Sequence, residues 1–271
     1  MKKFSILFLA VLLTGIVMGQ DVKRQKIKRI TQANYGLEWY QTQMKLWKEE
    51  VDRNPSSEEA WWNYYEAQRG VLHKSGGNPF TEESPVMEIV NEMEKSIPNT
   101  FTFYHCKANQ LGNHTKDWVQ YLKKAYNLQP NNPLTYENLI VHYEMHDNLS
   151  KRKEIVNKLY KYGDVSIGML NYGYNVLMTL DESGILITAG DNDTYPMWVL
   201  QDVFNVRPDV AIVNRSMIKD SSYAKIILKR LGINPTKDEK KSFIRDTRSI
   251  KQGEDHIQHT KTFIKLAQQK S

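Results

Sequence analysis

The sequence predicts a mainly α-helical protein: an α-helical repeat array that ends in a small C-terminal α/β unit, a β-α-β with two parallel strands. Three observations carry this. From Tyr35 to Tyr162 apolar and aromatic residues recur at helical intervals, interrupted at Asn54-Pro55, Pro98-Asn99 and Pro130-Asn131. The apolar runs Ile185 to Ala189 and Val210 to Val213 have the length and β-branched content of buried parallel strands. Between them Met197, Leu200 and Val203 or Phe204 fall at helical spacing, so one helix joins the two runs.

Taken in order, residues 1–19 read as a secretory signal peptide. Lys2 and Lys3 precede the apolar run Phe4 to Met18, and Val17 and Gly19 are the small residues of a cleavage site. The single cysteine, Cys106, is not at that site, which excludes a lipid anchor there and any intramolecular disulfide. A periplasmic or secreted protein with no membrane span after cleavage is expected. Loss of Lys2 and Lys3 reduces the net charge from +6 to +4, too small to argue for nucleic acid. The denser basic cluster Lys23, Arg24, Lys26, Lys28 and Arg29, within residues 20–34, reads as a solvated tether.

Residues 35–164 hold the helical array. Tyr35, Trp39, Tyr40, Met44, Trp47 and Val51 lie on one helix, which Asn54-Pro55 ends. Ser56-Ser57-Glu58-Glu59 has the form of a capping box with Ser56 as the cap, opening a second helix from Ala60 to Ala67. Ser84-Pro85 starts a third, which ends near Lys95. Phe101 to Asn109, Trp118 to Leu128, Leu134 to Met145 and Ser150 to Tyr162 complete two further pairs. Tryptophans and tyrosines between Tyr35 and Tyr65 read as packing between helices, and Cys106 as a small buried residue.

From Pro98 to Pro130 is 32 residues, and Tyr121-Leu-Lys-Lys-Ala-Tyr-Asn-Leu-Gln-Pro130 closes a helix in the manner of one repeat family. The region resembles the tetratricopeptide family, which implies two to three stacked helix pairs and a protein or peptide partner. The helix from Val165 to Leu180 then caps the array, and residues 165–233 form the cap with the β-α-β unit. Residues 234–271 are a polar tail, with a short strand at Phe243-Ile244 and a weak helix marked by Ile257, Thr260, Ile264 and Ala267.

Polar chemistry gathers in one place. Parallel strands put the residues past their carboxyl ends on one sheet edge, so Asp191, Asn192, Asp193, Thr194, Asn214, Arg215 and Ser216 form the candidate ligand site. Asp191 and Asp193 are the candidate metal pair, with Mg²⁺ or Mn²⁺ as the ion. Against this stands a structural reading, in which Asp193 or Thr194 caps a helix at Pro196, Asp191 bonds loop N–H groups, and Arg215 pairs with Asp191 or Asp209. His142 and His146 have the four-residue spacing of a two-histidine site without the glutamate of a zinc protease, and His256 and His259 lie in the tail.

The run Gly190-Asp-Asn-Asp-Thr-Tyr-Pro-Met-Trp198, with Val206-Arg207-Pro208-Asp209-Val210 and Val213-Asn214-Arg215-Ser216, resembles a soluble segment of a bacterial family of multi-spanning membrane proteins. That family is similar to protein O-mannosyltransferases. The resemblance covers about Leu177 to Leu231 and none of the family's membrane helices, so it implies an envelope setting and a shared module but not transferase activity. The expected function is that of an exported, non-catalytic scaffold of the bacterial cell envelope that binds a protein or peptide and needs no cofactor. A divalent-metal-dependent hydrolase or glycan-processing accessory built on Asp191 and Asp193 is the alternative.

Overall fold

The computed structural model describes residues 23–29, 32–81, 83–112, 115, 117–234 and 263–265. The signal-peptide reading, His256, His259, the strand at Phe243-Ile244 and most of the final helix lie outside them. The chain divides into two compact units, Met1–Ile97 and Pro98–Ser271.

The first unit is built on helices α1 (Leu37–Arg53), α2 (Glu58–Lys74) and α3 (Pro85–Ser96). In α1 the buried stripe is Tyr40, Gln43, Trp47 and Val51; it faces Ala60, Asn63, Ala67 and Gly70 among the buried residues of α2. The contact is closest at Gly70. A Cβ there would stand 2.2 Å from the Tyr40 ring, so only glycine lets that ring lie on the α2 backbone. The turn between the helices corrects one expectation. Ser56 is not the cap: its hydroxyl donates to Asn54 Oδ1 at 3.0 Å, and the Ser57 N–H is bonded to the Asn54 carbonyl. The Asn-Pro turn thus uses Ser56, and Ser57 caps α2 by accepting the Ala60 N–H. Because Ala60 stands at the position where the reciprocal glutamate is required, no capping box forms. Ser84 caps α3 with Pro85 at its first position, as expected.

The second unit contains α4 (Phe101–Leu111), α5 (Trp118–Leu128), α6 (Tyr136–Met145), α7 (Leu149–Tyr162), α8 (Ile167–Met178), β1 (Ile185–Thr188), α9 (Asp191–Asp202), β2 (Ala211–Asn214) and α10 (Ser221–Arg230). Sequence neighbours pack as pairs: α4 on α5, α6 on α7, and α8 on α9. One core runs through Trp118, Leu139, Ile140, Ile155 and Leu159 of the helices and on into Leu177, Trp198, Val199 and Ile212 of the α/β part. Two strands cannot stand alone, and this shared core is what supports them. The core is continuous across residue 164, and the two units divide at Ile97.

Two polar devices fix the α/β part. Arg207 donates to the Leu177, Leu180 and Asp181 carbonyls at and just past the end of α8, and to both oxygens of Asp209, which itself accepts the Ser183 N–H. The Arg207 guanidinium, and after it the Ser183 N–H, hold the Asp209 carboxyl well below its usual range. The second device is buried. Glu144 of α6, fully enclosed, accepts from Arg152 of α7 (2.6 Å), Arg230 of α10 (2.5 Å) and the Tyr223 hydroxyl (2.9 Å). Arg152 also grips Asp202 of α9 through two bonds, and Arg230 reaches Asp147. Four helices thus meet on a charged network whose members satisfy one another.

Val213, Ile218, Tyr223 and Ile227 form a further cluster, into which Phe263 of the tail is fully buried. Helix α8 is unusual in the opposite sense. None of its twelve residues is charged, yet only Gly173 and Leu177 are buried. Among the described residues no helix is long and apolar enough to cross a membrane.

Candidate functional site

The strands pair in parallel with Ile185 opposite Ala211 and Thr188 opposite Asn214, and the Arg215 N–H extends the ladder to the Thr188 carbonyl. Their carboxyl ends coincide, so the turns after Ala189 and Asn214 lie side by side, as the crossover rule requires.

The groups gathered there serve mainly one another. Thr188, Thr194 and Asn214 are almost fully buried. Thr194 Oγ1 donates to the Gly190 carbonyl at 2.7 Å, lies 2.6 Å from Thr188 Oγ1, and accepts from Asn214 Nδ2 at 2.9 Å. With its single proton committed to Gly190, both lone pairs accept, and the hydroxyl is saturated. Asn214 Oδ1 accepts the N–H groups of Ser216 and Met217 and so starts the short 3-10 turn Met217–Lys219. Asp193 accepts the Ala189 N–H at 3.2 Å. This constellation closes two turns and fixes the angle at which α9 leaves the sheet.

Several expectations change here. The acidic stretch is not a loop, because α9 begins at Asp191 with Gly190 before it and no side-chain cap. Pro196 lies inside the helix, where its missing N–H removes one bond, to the Asn192 carbonyl in the exposed first turn. Asp191 and Asp193 stand two apart in the first turn of α9, on different faces of the helix. Among the described residues no group of three or more His, Cys, Asp or Glu side chains is placed to hold a metal. Asp193, not Asp191, binds the loop N–H. Arg215 is exposed and pairs with neither aspartate, since Asp209 is held by Arg207.

Asp191 and Asn192 face a different space. With Tyr195 and Pro196 they line a half-open pocket of about 140 Å³ bordered also by Glu137, Leu159, Asp164, Val165, Ser166 and Met169. Burial alone pushes the Asp191 carboxyl above its usual range. The Tyr195 phenol is raised well above its own, first by burial and then by Asp191 and Glu137. Glu137, Asp164 and Tyr195 are lining residues that the sequence reading missed; they come from three segments with no shared motif.

The two histidines of α6 are close, with ring centroids 4.3 Å apart, but His146 Nδ1 is bonded to the His142 carbonyl. His142 is buried beside Trp118, and its Nδ1 has no hydrogen-bond partner. Burial, then the nearby charges of His146 and Lys123, lower its pKa to about 4.

Residues 169–231 match the model of a family described as TMEM260-associated domain 2. The matched span runs from α8 through α10 and fits the resemblance to membrane proteins linked to mannosyltransferases. It is a minority of the chain and leaves the helices before Met169 unassigned. No curated protein and no solved structure matches. Within the matched span lie the Thr188–Thr194–Asn214 cluster, Asp193 and Arg207.

The first unit holds a second polar constellation. The basic segment expected as a tether has mostly exposed side chains, yet over residues 23–29 its backbone is held against α1 and α2. Gln43, fully buried, accepts the Gln25 N–H (2.7 Å) and donates to the Lys23 carbonyl (3.2 Å). The Trp47 indole donates to the Gln25 carbonyl (2.9 Å), and Asn63 accepts the Ile27 N–H (2.6 Å). Arg24 pairs with Glu50 and Lys26 with Glu59. Beside this segment opens a cavity of about 650 Å³ lined by Lys23, Arg24, Lys26, Trp47, Glu50 and Arg53, among others. A signal for it existed in the sequence: Gln43 falls between Tyr40 and Trp47 on the apolar stripe of α1, and Asn63 between Ala60 and Ala67 on that of α2. An amide in a buried stripe needs a partner from outside its helix.

Proposed function

We propose that this protein is an exported, non-catalytic scaffold of the bacterial cell envelope, in which tetratricopeptide-like helix pairs bind a protein or peptide and the α/β part caps the array. The observation that carries this reading is the grip of α1 and α2 on the main chain of residues 23–29 through Gln43, Trp47 and Asn63. Main-chain hydrogen bonds hold a bound peptide extended and in register, and here side chains of two helices supply them. Consecutive pairing of α1 with α2, α4 with α5 and α6 with α7 supports the repeat reading.

The test is a photo-crosslinking amino acid placed at Arg53, an exposed residue of the cavity rim, in cells that express the full chain. A discrete adduct to one envelope protein, absent when the crosslinker stands at exposed Lys229 of α10, is the expected result. Uniform or absent crosslinking at both positions would defeat the scaffold reading. Mass spectrometry of the purified chain tests export, with a mature N-terminus at Gln20 expected.

A further inference from the structure

We propose that the face of α1 and α2 that holds residues 23–29 is an exchangeable peptide-binding groove, whose ligand is an extended basic peptide with one branched aliphatic anchor, and that the chain's own segment occupies it in competition. The inference rests on the scaffold reading and names the site, the ligand class and the regulation.

The contacts define the ligand. Lys23, Gln25 and Ile27 present backbone groups to the helices at every second residue, the spacing of an extended chain. Main-chain bonds carry little sequence information, so they set conformation and register. Identity enters at two kinds of position. Ile27 is the one side chain buried among residues 23–29 and acts as the anchor. Arg24 and Lys26 extend to Glu50 and Glu59, which makes the rim of the groove selective for cations on the residues between the backbone contacts. Arg24 additionally lies over the Trp47 ring, 5.4 Å from its centroid.

The same contacts make the resident segment exchangeable. A single buried aliphatic side chain, four bonds to the main chain and two partly exposed ion pairs, each of the latter contributing little, oppose the ordering of seven residues, a near balance. The Gln32 and Ala33 N–H groups bond the Arg29 carbonyl between the segment and α1. Departure strips partners from Gln43, Asn63 and the Trp47 indole, and a second peptide of the same chemistry restores them.

The probe is a labelled peptide of the sequence Lys-Arg-Gln-Lys-Ile-Lys-Arg, read by fluorescence anisotropy on the full chain. Ile27→Asp in the protein ejects the resident segment, and the peptide is expected to bind this variant at least tenfold more tightly than the unaltered chain. Addition of Asn63→Leu to Ile27→Asp, or N-methylation of the peptide's isoleucine amide, should each cancel the gain. Equal binding to both chains, or binding that survives loss of the Asn63 contact, overturns the groove while leaving the scaffold reading standing on its crosslink. A concentration-dependent dimer that excludes the peptide overturns it too, with a second copy as the true occupant. Should Ile27→Asp unfold, hydrogen exchange on the unaltered chain decides. The Gln25 and Ile27 amides should exchange at least a hundredfold faster than those of Trp47 and Val51; exchange at a common rate shows the segment to be fixed structure and ends the proposal.

Discussion

Glu144→Gln tests the network that joins the helices to the α/β part. Glutamine keeps the volume and one acceptor oxygen but brings an NH₂ group. If that group faces Arg230 and Tyr223, donors oppose one another across the 2.5 Å contact; if it is flipped, it opposes Arg152 across 2.6 Å. Neither arginine loses its last anion, because Arg152 keeps Asp202 and Arg230 keeps Asp147. The loss should therefore sit at the lower end of the range for a broken buried pair, about 3 kcal/mol. Urea unfolding followed by near-ultraviolet circular dichroism reads the total, and hydrogen exchange in α6, α7, α9 and α10 reads its location. A double-mutant cycle sharpens the test. Tyr223→Phe alone removes one bond to Glu144, and in the Glu144→Gln background its cost should fall by at least ~0.5 kcal/mol. A shift below ~1 kcal/mol for Glu144→Gln, or strict additivity with Tyr223→Phe, would show that the network contributes contacts without holding the parts together.

Gly70→Ala drives a methyl group into the Tyr40 ring and should destabilise the first unit by about 1–3 kcal/mol, measured by loss of helix protection in α1 and α2; an unchanged melting temperature contradicts the close approach. His142 is neutral when folded down to about pH 4, whereas in the unfolded chain it takes up a proton near its usual value of 6.5. Stability is thus lost as pH falls from 6.5 to 4, on the order of 2 kcal/mol, and His142→Phe should flatten that part of the stability–pH profile; a profile of the same slope sinks the assignment. Asp193→Ala leaves the Ala189 N–H without its acceptor and should cost about 1 kcal/mol, while Asp191→Asn removes a carboxylate that burial disfavours and should raise the melting temperature slightly. A Mn²⁺ titration of the unaltered chain should be silent in calorimetry, and a heat abolished by Asp193→Ala would restore the two-aspartate metal site.

Much of the local structure is legible in the sequence because it is decided by short-range chemistry. Ser84-Pro85 opens α3, Asn54-Pro55 ends α1, and the period of apolar residues marks the helices because each signal acts within a turn or two of backbone. The parallel strand pair also follows, since two short apolar runs joined by one crossover helix pair side by side in the same direction. Caps and turns one residue apart were harder: Ser56 and Ser57 offer the same hydroxyl, and only the Asn54 turn assigns one to the turn and the other to the helix.

By itself, then, the sequence determined the helices, the β-α-β and the place where polar groups gather beyond the strands. Tertiary structure decided what those groups do. Starting α9 at Asp191 placed the two aspartates on different faces of a helix, and the meeting of Thr188, Thr194 and Asn214 satisfied groups that sequence offers as ligands. Gln43, Asn63 and Glu144 are each a polar residue on a buried helical face, which sequence can flag. Each has a partner far along the chain, 18 residues away for Gln43, 36 for Asn63 and 86 for Glu144, and pairing over such distances is set by packing of the whole chain rather than by any local pattern.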